Sequence, residues 1–317
     1  MKSFAFVFPG QGSQAVGMLD AWGDHPAVAG ALREASDALD EDVARLIHDG
    51  PKEALALTTN TQPVMLVAGI AAWRAWLAEG GAKPALVAGH SLGEYSALVA
   101  SGVLTLAQAA PLVRFRAQAM QQAVPVGAGA MAAVLGMDAE KVKAGCAEVT
   151  AGFGPGSAEV VEAVNFNDPM QTVIAGSKAA VDKACEVLKA QGAKRALPLP
   201  VSAPFHSSLM RPAAQALRER LASVTFAAPQ IPVLNNVDVA VETDADRIRD
   251  ALVRQAAGPV RWVESVLALK ARGVEAIVEC GPGKVLAGMA KRIAPELLTG
   301  AVYDPATRAE TQQLLGA

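Results

Sequence analysis

Short apolar runs ended by glycine corners punctuate the chain. Phe4-Ala5-Phe6-Val7-Phe8 stops at Pro9-Gly10, Ala85-Leu86-Val87-Ala88 stops at Gly89, and Ala276-Ile277-Val278-Glu279-Cys280 stops at Gly281-Pro282-Gly283. Each reads as a buried strand closing in a turn. Between them, Pro63 to Ala78 and Leu106 to Gln122 carry helical patterns. Strands and helices alternating through such corners predict an α/β layered core with a largely parallel sheet.

The middle of the chain has another rhythm. Ala130 to Met137 predicts a strand, and Asp138 to Val149 a helix opened by an aspartate cap. Val160 to Val164 and Thr172 to Ala175 read as paired strands around Asn165-Phe166-Asn167-Asp168-Pro169, a turn-forming composition. A helix from Lys178 to Gln191 and a strand from Arg195 to Leu199 follow. The order β-α-β-β-α-β fits a ferredoxin-like unit. Gly127 and Gly129 punctuate its entry, Pro198 and Pro200 its exit. A small domain at 127–198 is therefore expected inside a discontinuous large one formed by 1–126 and 199–317.

Composition narrows the class. Of 317 residues, 52% are hydrophobic and 19% charged, which rules out disorder. The net charge is −3 with no sustained basic stretch, so a nucleic-acid binder is not expected. Cys146, Cys185 and Cys280 stand far apart and form no CxxC pair, which gives no support to structural zinc or a disulfide framework. Ala54 to Trp73 and Tyr95 to Val113 carry no charge, yet Pro63 interrupts the first and Ser96, Ser101, Gly102 and Pro111 the second. Both read as buried helices rather than spans of about 20 apolar residues. With only Lys2 ahead of the first strand pattern, no secretory signal is expected, and the expectation is a reduced, cytoplasmic, soluble protein.

The candidate chemistry starts at Gly89-His90-Ser91-Leu92-Gly93, a G-x-S-x-G motif between a strand and a helical pattern. Such a tight corner lifts the serine hydroxyl above the sheet and aims a helix N-terminus at it. The competing reading is an ordinary serine cap in a glycine-rich turn. A serine nucleophile needs a base, and there are four histidines. His25 and His48 belong to polar turns, and His90 points away if Ser91 points up. His206, in Pro204-Phe205-His206-Ser207, is left by elimination; a packed or solvated loop histidine is the alternative. No acid stands out as a third member. With 111 residues still to follow His206, the order is not that of an α/β-hydrolase. A backbone carbonyl could orient the imidazole instead.

On the helix Leu106 to Gln122, Leu106, Ala109, Leu112, Val113 and Met120 project as one apolar stripe, and Arg116 falls inside it. Arg114 falls on the polar side, roughly 200° away. A guanidinium facing the core is costly unless it meets an anion. It is either half of a structural ion pair or a fork for a substrate carboxylate. Gly281-Pro282-Gly283-Lys284 looks like a phosphate cradle, but GxxxxGK[ST] is absent, which favours a strand-end turn.

Together with Phe8-Pro9-Gly10-Gln11-Gly12-Ser13-Gln14, Thr61-Gln62-Pro63, Glu94 after the serine motif, Val164-Asn165-Phe166-Asn167, and Gln255 before Pro259-Val260, these motifs span almost the whole chain. The chain resembles the malonyl-CoA:acyl carrier protein transacylases of type II fatty acid synthesis. That resemblance implies a hydrolase-like core with a ferredoxin-like insert and ping-pong transfer of malonyl from malonyl-CoA to holo acyl carrier protein. It implies Ser91 as nucleophile, His206 as base, oxyanion amides from Gln11 and Leu92, and Arg116 with Gln62 on the malonyl carboxylate. A carbonyl near Gln255 would orient His206, and Asn165 would help shape the pocket. Phe205, immediately before the histidine, would disfavour a branch at the acyl α-carbon, a filter of about 1–3 kcal/mol. Coenzyme A would be a substrate, with no resident cofactor or metal, and the protein a monomer that meets its carrier transiently. The rivals are a serine thioesterase or esterase, which would not depend on Arg116, and a scaffold that never acylates.

Overall fold

The computed structural model describes residues 1–201 and 203–316. Nine strands lie among them: β1 (Phe4–Phe8), β2 (Leu86–Gly89), β3 (Gly129–Leu135), β4 (Val161–Asp168), β5 (Gln171–Ser177), β6 (Arg195–Pro198), β7 (Val233–Leu234), β8 (Ala276–Cys280) and β9 (Leu298–Val302). Five form one sheet in the order β7-β2-β1-β8-β9, and every neighbouring pair is parallel. β1 and β8 are buried along their whole length. This is why they read as apolar runs, broken only by the buried Glu279, rather than as alternating ones. Helices cover the sheet. Thr58–Ala78 is buried around most of its circumference, with Arg74 reaching the surface to pair with Glu34, and fits a position in the core. No helix among the described residues is long and apolar enough to cross a membrane.

The register places Phe8 opposite Gly89, so the corner after β1 and the corner after β2 meet at one sheet edge. There is no space there for side chains on the glycines. A Cβ on Gly89 would lie 1.9 Å from the Gly93 carbonyl carbon, and one on Gly93 would lie 2.0 Å from the Phe8 oxygen. Because both obstacles are backbone, Gly93→Ala is expected to cost about 3 kcal/mol or more. Urea or thermal unfolding measures this; a Tm within about 2 °C of wild type would show that the corner can yield.

The other four strands form an antiparallel sheet in the order β4-β5-β3-β6. Its strands alternate. Ala132 and Val134 of β3 pack with Ile174 beneath the helices Ala139–Gly152 and Lys178–Ala190. Met131, Val173 and Ala175 face the other way, onto Met120, Phe205 and Met210.

Three details depart from expectation. β4 runs on to Asp168, so Asn165–Asp168 are strand and the turn lies at Pro169 and Met170. Pairing accounts for this. β4 keeps its contact with β5 through two register shifts, while the Phe166 amide donates to the Val260 carbonyl and the Val260 amide to Val164. The helix expected from Pro63 starts at Thr58, so Pro63 lies inside it, in the second turn. β7 is only two residues long and gave no periodic signal. Gly281–Gly283 is a strand-end turn leading into the helix Val285–Ile293.

Candidate active site

Ser91 stands at the corner between β2 and the helix Gly93–Ala100, with φ +52°. That left-handed conformation is uncommon for a residue with a side chain, and here the surroundings impose it. The Ser91 amide donates to Asn236 Oδ1 at 2.7 Å, and Asn236 Nδ2 donates to the Gly89 carbonyl at 2.6 Å. Asn236 follows β7, the neighbour of β2, so its side-chain amide extends the sheet pairing by one step around the corner.

His206 is 3% exposed, and its Nε2 lies 2.7 Å from Ser91 Oγ. Its Nδ1 lies 2.9 Å from the Gln255 carbonyl oxygen. A carbonyl only accepts, so Nδ1 carries the proton and Nε2 is left to accept from the serine. The orienting group is thus a backbone oxygen, as the absence of an acid led us to expect. His206 also adopts a left-handed φ, +67°. Burial, reinforced by the Arg116 charge, lowers its pKa to about 3.

Arg116 is 1% exposed. Nη1 donates to Gln62 Oε1 at 2.8 Å, and Nη2 to Gln255 Oε1 at 3.0 Å and Ser91 Oγ at 3.2 Å. All these partners are neutral, and Nε has none. Arg114, by contrast, makes a two-pronged pair with Glu41 at 2.6 Å on each arm. The two arginines separate as the helical projection predicted: one is neutralised at the rim, and the other is a buried cation without a carboxylate in contact.

The cleft over Ser91 encloses about 130 Å³ and is lined by Gln11, Gln62, Leu92, Arg116, Asn165, Phe205 and His206, with Met120, Met131 and Val173 on its apolar side. Every residue expected at the site reaches it except Gln255, which approaches from behind through its carbonyl and side-chain amide. The Asn165 Oδ1 is buried without a partner, and Gln11 Nε2 donates to Thr58 Oγ1 at 3.3 Å. Of the remaining histidines, His90 also lines the cleft, whereas His25 and His48 lie elsewhere. His90 Nε2 meets Asn167 Oδ1 at 2.8 Å, His25 caps its helix through Ala27, and His48 pairs with Asp20 at the surface. Among the described residues no cluster of His, Cys, Asp or Glu could hold a metal, and the three cysteines are buried and free.

Asn236 was missed in the sequence, and Glu94 was named there only as part of the serine motif, with no role. Asn236 is wholly buried but lies in Asn235-Asn236-Val237, which reads as an ordinary strand-end turn. Glu94 is 2% exposed. Its Oε2 accepts from the Asn236 amide and from Gln255 Nε2, both at 2.9 Å. Burial pushes its pKa up to about 7, against these hydrogen bonds. Its place directly after the serine motif was the available signal.

A serine hydroxyl, an oriented neutral imidazole and a buried cation with free donor capacity therefore share one cleft, an arrangement suited to acyl transfer from an anionic acyl donor. The acyl transferase domain family matches residues 5–310. The malonyl CoA-acyl carrier protein transacylase of Escherichia coli K12 is 52% identical over 99% of this chain and 100% of its own length. That of Salmonella typhimurium is 53% identical over 96% and 97%. The crystal structure of the acyl-carrier-protein S-malonyltransferase from Burkholderia pseudomallei superposes with a TM-score of 0.95 at 61% identity, over 98% of this chain and 99% of that one. A malonyl-transacylase solved in complex with its type II PKS acyl-carrier protein superposes with a TM-score of 0.95 at 49% identity, over 98% and 99%. The chain belongs to the malonyl CoA-acyl carrier protein transacylase family of acyltransferases.

Proposed function

We propose that this enzyme moves a malonyl group from malonyl-CoA to the phosphopantetheine thiol of holo acyl carrier protein through a malonyl ester on Ser91. The observation that carries this is the buried Arg116 fork, 3.2 Å from the Ser91 hydroxyl and paired only with neutral groups. In the first half-reaction, His206 Nε2 takes the Ser91 proton as Oγ attacks the thioester carbonyl. The amides of Leu92 and Gln11 stabilise the oxyanion. The C–S bond then breaks, and His206 returns the proton to the departing coenzyme A thiolate. Arg116 and Gln62 hold the free carboxylate meanwhile. In the second half, His206 takes the proton of the pantetheine thiol, and the new thioester forms as Ser91 regains its hydroxyl. Coenzyme A enters only as substrate. Asn165 closes the cleft from β4, and the Phe205 ring filters acyl groups branched at the α-carbon.

The same reading assigns 1–126 and 199–317 to a hydrolase-like catalytic domain and 127–198 to a ferredoxin-like insert. The antiparallel order β4-β5-β3-β6 with two helices on one face supports the latter. We place the protein in the cytoplasm as a monomer that engages its carrier transiently.

The test is mass spectrometry after mixing with malonyl-CoA. The protein gains one malonyl group and loses it on addition of holo acyl carrier protein, whose pantetheine gains the same mass. Hydrolysis of malonyl-CoA with no labelled carrier would overturn the transferase reading.

The His206 environment sets the pH dependence. With a pKa of about 3 the imidazole remains a free base well below neutrality. In Glu94→Gln, which removes the Glu94 titration near 7, acylation is expected to hold within about twofold from pH 6.5 to about pH 5, where an ordinary imidazole would lose about sixteenfold in base form. Stopped-flow acylation across that range decides, and a fall with a midpoint near 6.5 would contradict it. For stability the sign is the usual one for a depressed pKa. The unfolded chain binds the proton first, so the histidine's contribution is lost as pH falls from 6.5 towards about 3.

A further inference from the structure

We propose that Glu94 is a positioning residue of the acyl-carboxylate pocket: it fixes the sense of the Gln255 amide and, through it, the donor fork of Arg116. The inference rests on Arg116 receiving the malonyl carboxylate. An amide between two partners can be turned either way unless the partners forbid it. Here they do. Arg116 Nη2 is a donor only and faces Gln255 Oε1 at 3.0 Å. On the other side, Gln255 Nε2 faces two acceptors, Glu94 Oε2 at 2.9 Å and the Ser91 carbonyl at 3.0 Å. Reversing the amide would set NH2 against guanidinium and a carbonyl oxygen against a carboxylate, all buried.

The same Glu94 oxygen accepts from the Asn236 amide, and the Asn236 side chain holds the Ser91 corner. One oxygen thus ties the carboxylate fork to the nucleophile. It does so without touching Arg116 directly, so the guanidinium keeps its donors for substrate. A simpler role is available, because Glu94 lies in the first turn of the helix Gly93–Ala100, where an acid favours the helix dipole. That role affects stability and has no bearing on which acyl group is chosen.

The experiment measures kcat and KM for malonyl-CoA and acetyl-CoA in Glu94→Ala, Glu94→Gln and Arg116→Ala, each with its Tm. Glu94→Ala is expected to cut the malonyl-over-acetyl preference in kcat/KM by about tenfold or more. Glu94→Gln keeps an acceptor in the same place and is expected to restore most of it. The preference lost in Glu94→Ala/Arg116→Ala should not exceed that of Arg116→Ala alone. If Glu94→Ala does not fold, Glu94→Asp, with its carboxylate withdrawn by one methylene, carries the same expectation. Equal loss on both substrates, loss of Tm alone, or Glu94→Gln behaving as Glu94→Ala overturns the proposal while Arg116→Ala still upholds the carboxylate pocket. Unchanged preference in Arg116→Ala overturns both.

Discussion

Ser91→Ala is expected to abolish the malonyl adduct and to lower the rate of malonyl transfer by about 10⁴-fold or more. The size follows from what is removed. The imidazole remains oriented on the Gln255 carbonyl, but it has nothing to deprotonate in the first half-reaction, and no covalent carrier exists for the second. Direct attack by the pantetheine thiol on malonyl-CoA would need both thioester arms in the cleft at once. The fold should survive the change. The Ser91 side chain bonds to His206 and Arg116, whereas the corner is held by its backbone through Asn236. The measurement is intact-protein mass after incubation with malonyl-CoA, alongside steady-state transfer and Tm. An adduct of undiminished yield in the alanine variant would place the acyl group on another residue and end the case for Ser91.

Arg116→Ala should lower kcat/KM for malonyl-CoA by about 100-fold or more while acetyl-CoA is relatively spared or improved. Truncating one side of a buried, charge-assisted pair costs about 2–5 kcal/mol, and the malonyl carboxylate would lose both arms of the fork. Acetyl has no carboxylate to lose. For it, the change removes a cation whose proximity lowers the basicity of His206. Some shared cost remains, because Gln62 Oε1 and Gln255 Oε1 lose their donor in a closed site. The diagnostic quantity is therefore the ratio of the two substrates. Parallel losses on malonyl and acetyl would mean that Arg116 braces the pocket without reading the acyl end.

How much of this was legible in the chain depended on whether a residue's chemistry clashed with its local pattern. Ser91 was visible because only a tight corner tolerates that spacing of glycines. Arg116 was visible because a charge in an apolar stripe is expensive. His206 was reached by elimination among four histidines, and its orienting carbonyl was left open by the missing acid and placed near Gln255 only through the family resemblance. Asn236 and Glu94 were hidden for the opposite reason. An asparagine after a strand and a glutamate in the first turn of a helix are locally unremarkable. Their importance arises where the end of β7, the corner after β2 and the helix Ala245–Ala256 converge. Likewise Asn165–Asp168 has the composition of a turn, but pairing to β5 and to Val260 outweighs it. The core strands had no such rival: β1 and β8 are buried along their length, and apart from the buried Glu279 their sequences are apolar.

Both members of the reacting pair hold backbone angles that a glycine would adopt with less penalty. A protein selected only to persist would relax those two positions first. With the roles proposed for both side chains, activity and durability stand in opposition at the centre of the molecule. Efforts to harden this enzyme should therefore leave those residues alone and work on its outer helices and loops.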